Sequence, residues 1–278
     1  MDCARAGLSS WPGNGWKHPS TPLLHCPNAA NVSLFKAAMG RGDIFQHAFP
    51  LDAEASYYPD ASLFEAGLTL AADVAEAVGA PPPNSVSQRD VPGWTRAAIP
   101  LLNKHGVIGL SFGAGTPPGK PDIPPMFVWR HEQSGTEVVT TWETAYGSIN
   151  TLFVLPNGVA LAVQWEGDNT GPGPIEQVQS FYTTLRTKYP HATVNVSTFD
   201  AFFAVANQPE VKSQLPVVTK EIGDGWIYGV PSDPLKNAMF REVARQRSAC
   251  IASGECDLGS PDMKAFDRLL VKIPEHTW

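Results

Sequence analysis

Two hydrophobic periods alternate along this chain. From Ser62 to Val78, Phe64, Leu68, Ala71, Ala75 and Val78 share one face of a helix. Ser62 and Glu65 have capping-box spacing, and Gly79 with Pro81-Pro82-Pro83 stops the helix. Thr95 to His105 reads as a second helix, with Gly106 just past its end. Further helices are expected over 175–188, 199–207, 233–248 and 261–272. Ser232-Asp233-Pro234 opens the third of these with a cap, followed by a proline at an early position whose missing N–H costs nothing. Ser33 to Met39 gives only a short helical piece closed by Gly40.

Strand patterns fall between these helices. Asp43 to Phe49 is one candidate, ended by Pro50, and Val107 to Phe112 is a buried one. Phe127-Val128-Trp129 and Glu137 to Trp142 flank Gly135 as a hairpin. Val159 to Trp165 reads as a strand. The stretch before it, from Leu152 to the Pro156-Asn157-Gly158 break, suits either strand or helix. Strands alternating with helices imply an α/β fold with a mainly parallel sheet. Residues 1–33 are rich in Pro, Gly, Ser and Asn and hold no sustained period. They read as an irregular segment ahead of a domain spanning 34–278.

Composition changes this picture in three ways. Hydrophobic residues make up 43% and charged residues 17%, enough apolar material for a large core. The net charge is −7 and no basic run is present, which argues against nucleic acid and anionic membrane as partners. The 26 prolines in 278 residues are about twice the usual share and point to many loops. Cys250 and Cys256 are close enough to bridge across Gly254, or to remain free thiols. Asn31-Val32-Ser33 and Asn195-Val196-Ser197 fit the glycosylation motif.

In α/β folds, polar clusters just after strands carry function. Asp90, in Ser87-Gln88-Arg89-Asp90-Val91-Pro92-Gly93-Trp94, is one candidate, or else a turn cap. The stretch Trp165-Glu166-Gly167-Asp168-Asn169 runs into a Gly/Pro loop where a ligand can approach the backbone. Glu221 and Asp224 stand beside Trp226 and Tyr228, an arrangement suited to stacking a sugar or to an ordinary core. His276 closes the helix that precedes it.

Taken in order, these segments resemble glycoside hydrolase family 38, the zinc-dependent α-mannosidases. Asp90 ahead of Pro100-Leu101-Leu102 resembles the nucleophile region, Gly167-Asp168 the acid/base loop, and Phe266 to His276 the segment with a zinc-binding His. The wording is more similar still to the domain of unknown function 5054. That likeness is carried by His47-Ala48-Phe49-Pro50, Gln88 to Gly93, Glu221 to Asp224 with Trp226 to Gly229, Ser232-Asp233-Pro234 and Pro274 to Trp278.

The resemblance implies a (β/α) barrel of the glycoside hydrolase and deacetylase type, acting on carbohydrate. It implies Asp90 as nucleophile and zinc ligand, Asp168 as acid/base and His276 as zinc ligand; Trp165, Glu221, Asp224, Trp226 and Tyr228 are the candidate substrate contacts read from the residues themselves. Two alternatives are a non-catalytic carbohydrate-binding relative and a metal-dependent polysaccharide deacetylase. The family's first strand supplies two more zinc ligands as His-x-Asp, and no His here is followed by Asp two residues on. The expectation is therefore an incomplete barrel lacking its first strand and half its zinc site, either an internal piece of a longer protein or a sequence whose start is wrongly assigned. An extracellular or secretory location fits this chemistry.

Overall fold

A computed structural model describes residues 10–11, 24–25, 27–91, 93–113, 121–166, 173–223 and 233–276. The chain divides into two compact units, 1–45 with 75–81, and 46–74 with 82–278. In the smaller unit, β1 (Ser10–Trp11) pairs antiparallel with β2 (Leu24–His25). Helix α1 (Ala29–Arg41) follows, longer at both ends than the Ser33–Met39 piece. The Asn28 side chain accepts the Asn31 N–H at 2.8 Å, and the left-handed Gly42 is the stop, so Gly40 stays helical.

Helix α2 (Ala61–Val78) spans the expected stretch, with 61–74 in the larger unit. Its cap differs from the expected box. Asp60, not Ser62, accepts the Leu63 N–H at 2.9 Å, and Glu65 is taken by Lys104 at 2.6 Å. The larger unit continues with β3 (Ser85–Arg89), α3 (Ala98–Lys104), β4 (Gly109–Gly113) and the hairpin β5 (Met126–His131) and β6 (Thr136–Glu143). A second hairpin, β7 (Leu152–Val154) and β8 (Ala160–Ala162), turns over Pro156-Asn157-Gly158, which settles the ambiguous stretch as strand. Then come α4 (Ile175–Lys188), α5 (Phe199–Ala206), α6 (Pro209–Lys212), β9 (Val217–Val218), α7 (Pro234–Ser253) and α8 (Pro261–Leu270).

The main sheet has the order β3-β4-β6-β5-β9. β3–β4, β4–β6 and β5–β9 are parallel, and only the β5–β6 hairpin is antiparallel. The fold is thus mixed α/β with a mostly parallel sheet. Among the described residues this sheet is open and does not close into a barrel. Residues 43–49 form no strand. The Ala48 N–H reaches the Ser85 carbonyl at 2.8 Å, and Phe49 turns into a cluster with Tyr58, Phe64 and Trp94 instead of extending a ladder.

The two faces of the sheet differ. Val86, Leu110, Phe112, Phe127, Trp129, Val138 and Trp142 pack with Phe64, Leu68, Trp94, Ile99 and Leu102 in the larger core. On the other face, Phe203 of α5 lies directly over Gly109, where any side chain would collide with its ring. That face is otherwise small or polar near β3 and β4, with Ser85, Arg89 and Ser111 all buried. Cys250 and Cys256 are joined as a disulfide, so the alternative of free thiols falls. Cys3 and Cys26 lie outside the described residues.

One buried ion pair ties three helices together. The Arg247 side chain on α7 is fully buried and forks onto Asp267 of α8, with Nε–Oδ1 at 2.6 Å and Nη2–Oδ2 at 2.7 Å. Its Nη1 donates to Ser62 on α2 at 2.7 Å. A buried pair of this kind is costly to break from one side, because the survivor is stranded without water. Asp267→Ala is expected to destabilise the protein by roughly 3–5 kcal/mol in denaturant unfolding. Replacing both partners with apolar residues should recover most of that loss, and equal losses for the single and double variants would refute the interpretation.

His47 gives a pH signature. Burial, aided by the nearby Arg89 charge, lowers its pKa from 6.5 to about 4. Between those values the unfolded chain takes up a proton that the folded one refuses, so stability falls as pH drops through this window. Asp52 opposes it over part of the range, because burial raises its pKa to about 6. The His47 contribution is isolated by comparison with His47→Gln. Relative to that variant, the wild type should lose at most about 1.4 kcal/mol per pH unit between pH 6.5 and 4. Parallel unfolding curves for the two proteins across this range would contradict the assignment.

Candidate active site

A short extended segment, Leu51 to Glu54, joins two remote parts of the chain. On one side it meets the end of β3. Gln88 donates to the Leu51 carbonyl at 2.8 Å and accepts the Ala53 N–H at 3.0 Å, while Asp52 Oδ1 accepts the Arg89 N–H at 2.8 Å. On the other side it meets the segment after α8. The Glu54 N–H reaches the Pro274 carbonyl and the His276 N–H reaches the Asp52 carbonyl, both at 3.0 Å. Ala53 forms an antiparallel bridge with Glu275.

Asp90 stands where these parts meet, one residue past the carboxyl end of β3. Its φ of 74° is positive, which is uncommon for a residue with a side chain, although Asp tolerates it better than most. The Asp90 N–H donates to the Gly113 carbonyl at 2.9 Å, so the sheet itself imposes the turn. Its two carboxylate oxygens are held separately. Tyr146 donates its hydroxyl to Oδ1 at 2.5 Å, and His276 Nε2 lies 3.1 Å from Oδ2. Tyr146 in turn packs against Trp165, with ring centroids 5.7 Å apart.

His276 is flanked by carboxylates on both ring nitrogens, with Glu275 Oε1 2.7 Å from Nδ1. The Glu275 hydrogen bond is the largest influence on its pKa. With the surrounding negative charges it outweighs burial and raises the value to about 9. Behind Asp90, the buried Arg89 donates to the Gln88 and Ser111 carbonyls and lies over the Phe199 ring. Burial lowers its pKa, with Glu143 and Asp52 opposing. Gly113 makes room for this arrangement, because a Cβ there would meet Arg89 Cδ at 2.7 Å. Arg89, Gly113 and Glu143 lie in register across the carboxyl ends of β3, β4 and β6.

The structure therefore brings Asp90, His276 and Trp165 of the expected set into one place, linked through Tyr146. Glu221 is engaged elsewhere. Its Oε2 accepts the Arg96 N–H at 2.7 Å, ahead of α3, and the loop carrying it packs against Gly93, where a Cβ would meet the Ile222 carbonyl oxygen at 2.8 Å. Asp168, Asp224, Trp226 and Tyr228 lie outside the described residues. Tyr146, Asp52 and Glu275 were not among the sequence candidates. Glu275 had a signal as the acidic neighbour of His276, and Tyr146 stands in the segment from Phe127 to Gly147 that resembles the mannosidase family, though no role was attached to it.

The zinc implied by resemblance can be weighed against these donors. Asp90 Oδ2 and His276 Nε2 converge, and the Glu275 contact to Nδ1 is the outer support that metal-binding histidines use. The remaining carboxylates turn away, since Asp52 Oδ1 faces the Arg89 N–H and Glu275 faces His276. Among the described residues no group of three or more His, Cys, Asp or Glu forms a metal cage. Two donors fall short of the three protein ligands that catalytic zinc takes, so the described residues do not complete the site.

Residues 230–278 match a family model described as Domain of unknown function (DUF5054). That stretch carries Arg247, Asp267, Glu275 and His276. A search of curated proteins returned no match.

The backbone at Asp90 can be tested apart from its chemistry. At a positive φ, glycine is unstrained and alanine is not. Asp90→Gly should therefore be more stable than Asp90→Ala by about 1 kcal/mol, the reverse of the usual order. Chemical denaturation of the two variants measures this, and a more stable Ala variant would show that position 90 relaxes out of the left-handed region.

Proposed function

We propose that this chain carries a carbohydrate-active hydrolase site, of the type found in the zinc-dependent α-mannosidases, with Asp90 as nucleophile and Asp168 as acid/base. One observation carries the reading most. A carboxylate in an unfavourable backbone conformation, at the carboxyl end of a parallel strand, is gripped by Tyr146 and His276 from segments 56 and 186 residues away. Strain maintained by several distant contacts is characteristic of functional positions. The likeness to the mannosidases rests on sequence resemblance, as do a closed barrel and zinc.

In this reading Tyr146 and His276 fix the orientation of the Asp90 carboxylate, and Trp165 offers a face for a sugar ring. An Asp90 oxygen attacks the anomeric carbon as the glycosidic C–O bond breaks, and Asp168 donates its proton to the leaving oxygen. Asp168, now a base, then takes a proton from the water that hydrolyses the glycosyl ester. The carboxyl groups of a retaining pair lie about 5–5.5 Å apart.

A second reading has a specific basis. Both Asp90 oxygens are already engaged, which blunts a nucleophile, and a carbohydrate-binding relative without turnover would show the same grip. A deacetylase-type reaction is the third possibility and would release acetate.

Turnover of aryl glycosides, with mass spectrometry of the trapped protein, separates these readings. The hydrolase reading expects a glycosyl ester on Asp90, absent in Asp90→Asn. Asp168→Asn should slow substrates with poor leaving groups by roughly 10²–10⁴-fold and activated ones far less. Equal slowing of both would move the acid/base role to another residue. Carbohydrate binding without turnover that survives Asp90→Asn would establish the binding module, and acetate release the deacetylase.

A further inference from the structure

The two Asn-x-Ser motifs sit in different local structure. Asn31 is the third residue of α1, with its backbone N–H bound by the Asn28 cap. On a helix, residues two apart point roughly 200° from one another, so the Asn31 amide and the Ser33 hydroxyl diverge. Asn195-Val196-Ser197 instead lies in the stretch 193–198 between α4 and α5, which holds neither helix, strand nor turn. All three of its residues are exposed, Val196 at 80%. Among the described residues, nothing hydrogen-bonds the Asn195 carboxamide or the Ser197 hydroxyl. The fold makes no structural use of either group.

Two further observations bear on this segment. The Cys250–Cys256 disulfide belongs to oxidising compartments, and those of the secretory pathway are where Asn-x-Ser acts as an acceptor. The segment is also anchored to β3. Asp200, three residues after Ser197, accepts bonds from the Asn84 N–H and the Ser85 hydroxyl at the amino end of β3. Asp90 follows the opposite end of that strand, roughly 13 Å along it.

We propose that Asn195 is an N-glycosylation site of this protein. The Asn195 amide nitrogen forms a bond to the anomeric carbon of an oligosaccharide carried on a polyisoprenyl pyrophosphate. The anomeric C–O bond to the pyrophosphate breaks, the lipid pyrophosphate leaves with the electron pair, and the amide gives up one proton. No electrons are exchanged with an oxidant or reductant. The Asn195 glycan then covers the exposed Val196 and its loop.

The test uses the full chain isolated from the cells that make it, with peptide mass spectrometry before and after N-glycosidase. The expected result is a glycan on the Asn195 peptide that the enzyme removes. It should be lost in Asn195→Gln and Ser197→Ala and kept in Ser197→Thr, all made in the same cells. These are exposed loop positions, so each variant should fold, and the intact Cys250–Cys256 bridge in its digest confirms it. An unmodified Asn195 peptide in the wild type overturns the proposal, as does a glycan found only at Asn31.

Discussion

The site depends on four residues of extended chain. Leu51 to Glu54 satisfy almost every polar group they bring inward by bonding to the end of β3 on one side and to the segment 274–276 on the other. Ala53 is fully buried, and its carbonyl also accepts the Trp94 indole N–H at 2.8 Å. Buried backbone groups left without partners are expensive, so neither neighbour can move off without a penalty. Asp90 and His276 inherit their proximity from this clamp. Their own contact is partly exposed to solvent and would be a weak organiser by itself.

The sheet contributes through the asymmetry of its faces. Aromatic and branched residues fill one side, and glycines with small polar residues line the neighbouring strands on the other. Gly109 admits the Phe203 ring, and Gly113 admits the Arg89 side chain. The buried guanidinium then finds carbonyls at hand and a carboxylate, Glu143, across the strand. The guanidinium charge helps lower the pKa of His47 and opposes the rise that burial causes at Asp52 and Glu143.

Much of the local structure was legible in the sequence. The α4, α5 and α8 helices appear close to the expected spans and α7 starts at the Ser232-Asp233-Pro234 signal but runs on to Ser253, past the expected end at 248. Such signals act over a few residues. The hairpin around Gly135 was equally local. Residues 43–49 misled, since a short apolar run is not specific to a strand, and here only Ala48 and Phe49 of it are buried. The α2 cap misled because Asp60 caps the helix two residues earlier, accepting the Leu63 N–H and the Ser62 hydroxyl, and also meets Arg247 from far along the chain. The pairing of Asp90 with His276 came from resemblance, not from pattern. Tyr146 and Asp52 carry no local mark, because their roles exist only once distant segments have met.

That last point bears on how the molecule is made. The contacts that define the site span 35, 37, 56 and 186 residues, whereas each helix hydrogen bond spans about four. Contacts of such high order are entropically expensive to form early, so they are among the last to settle. A chain with α7 and α8 already wound can still lack the site altogether. The Trp94 indole N–H, which donates to the Ala53 carbonyl, has that partner only when the clamp is shut, so this one bond reports the final step.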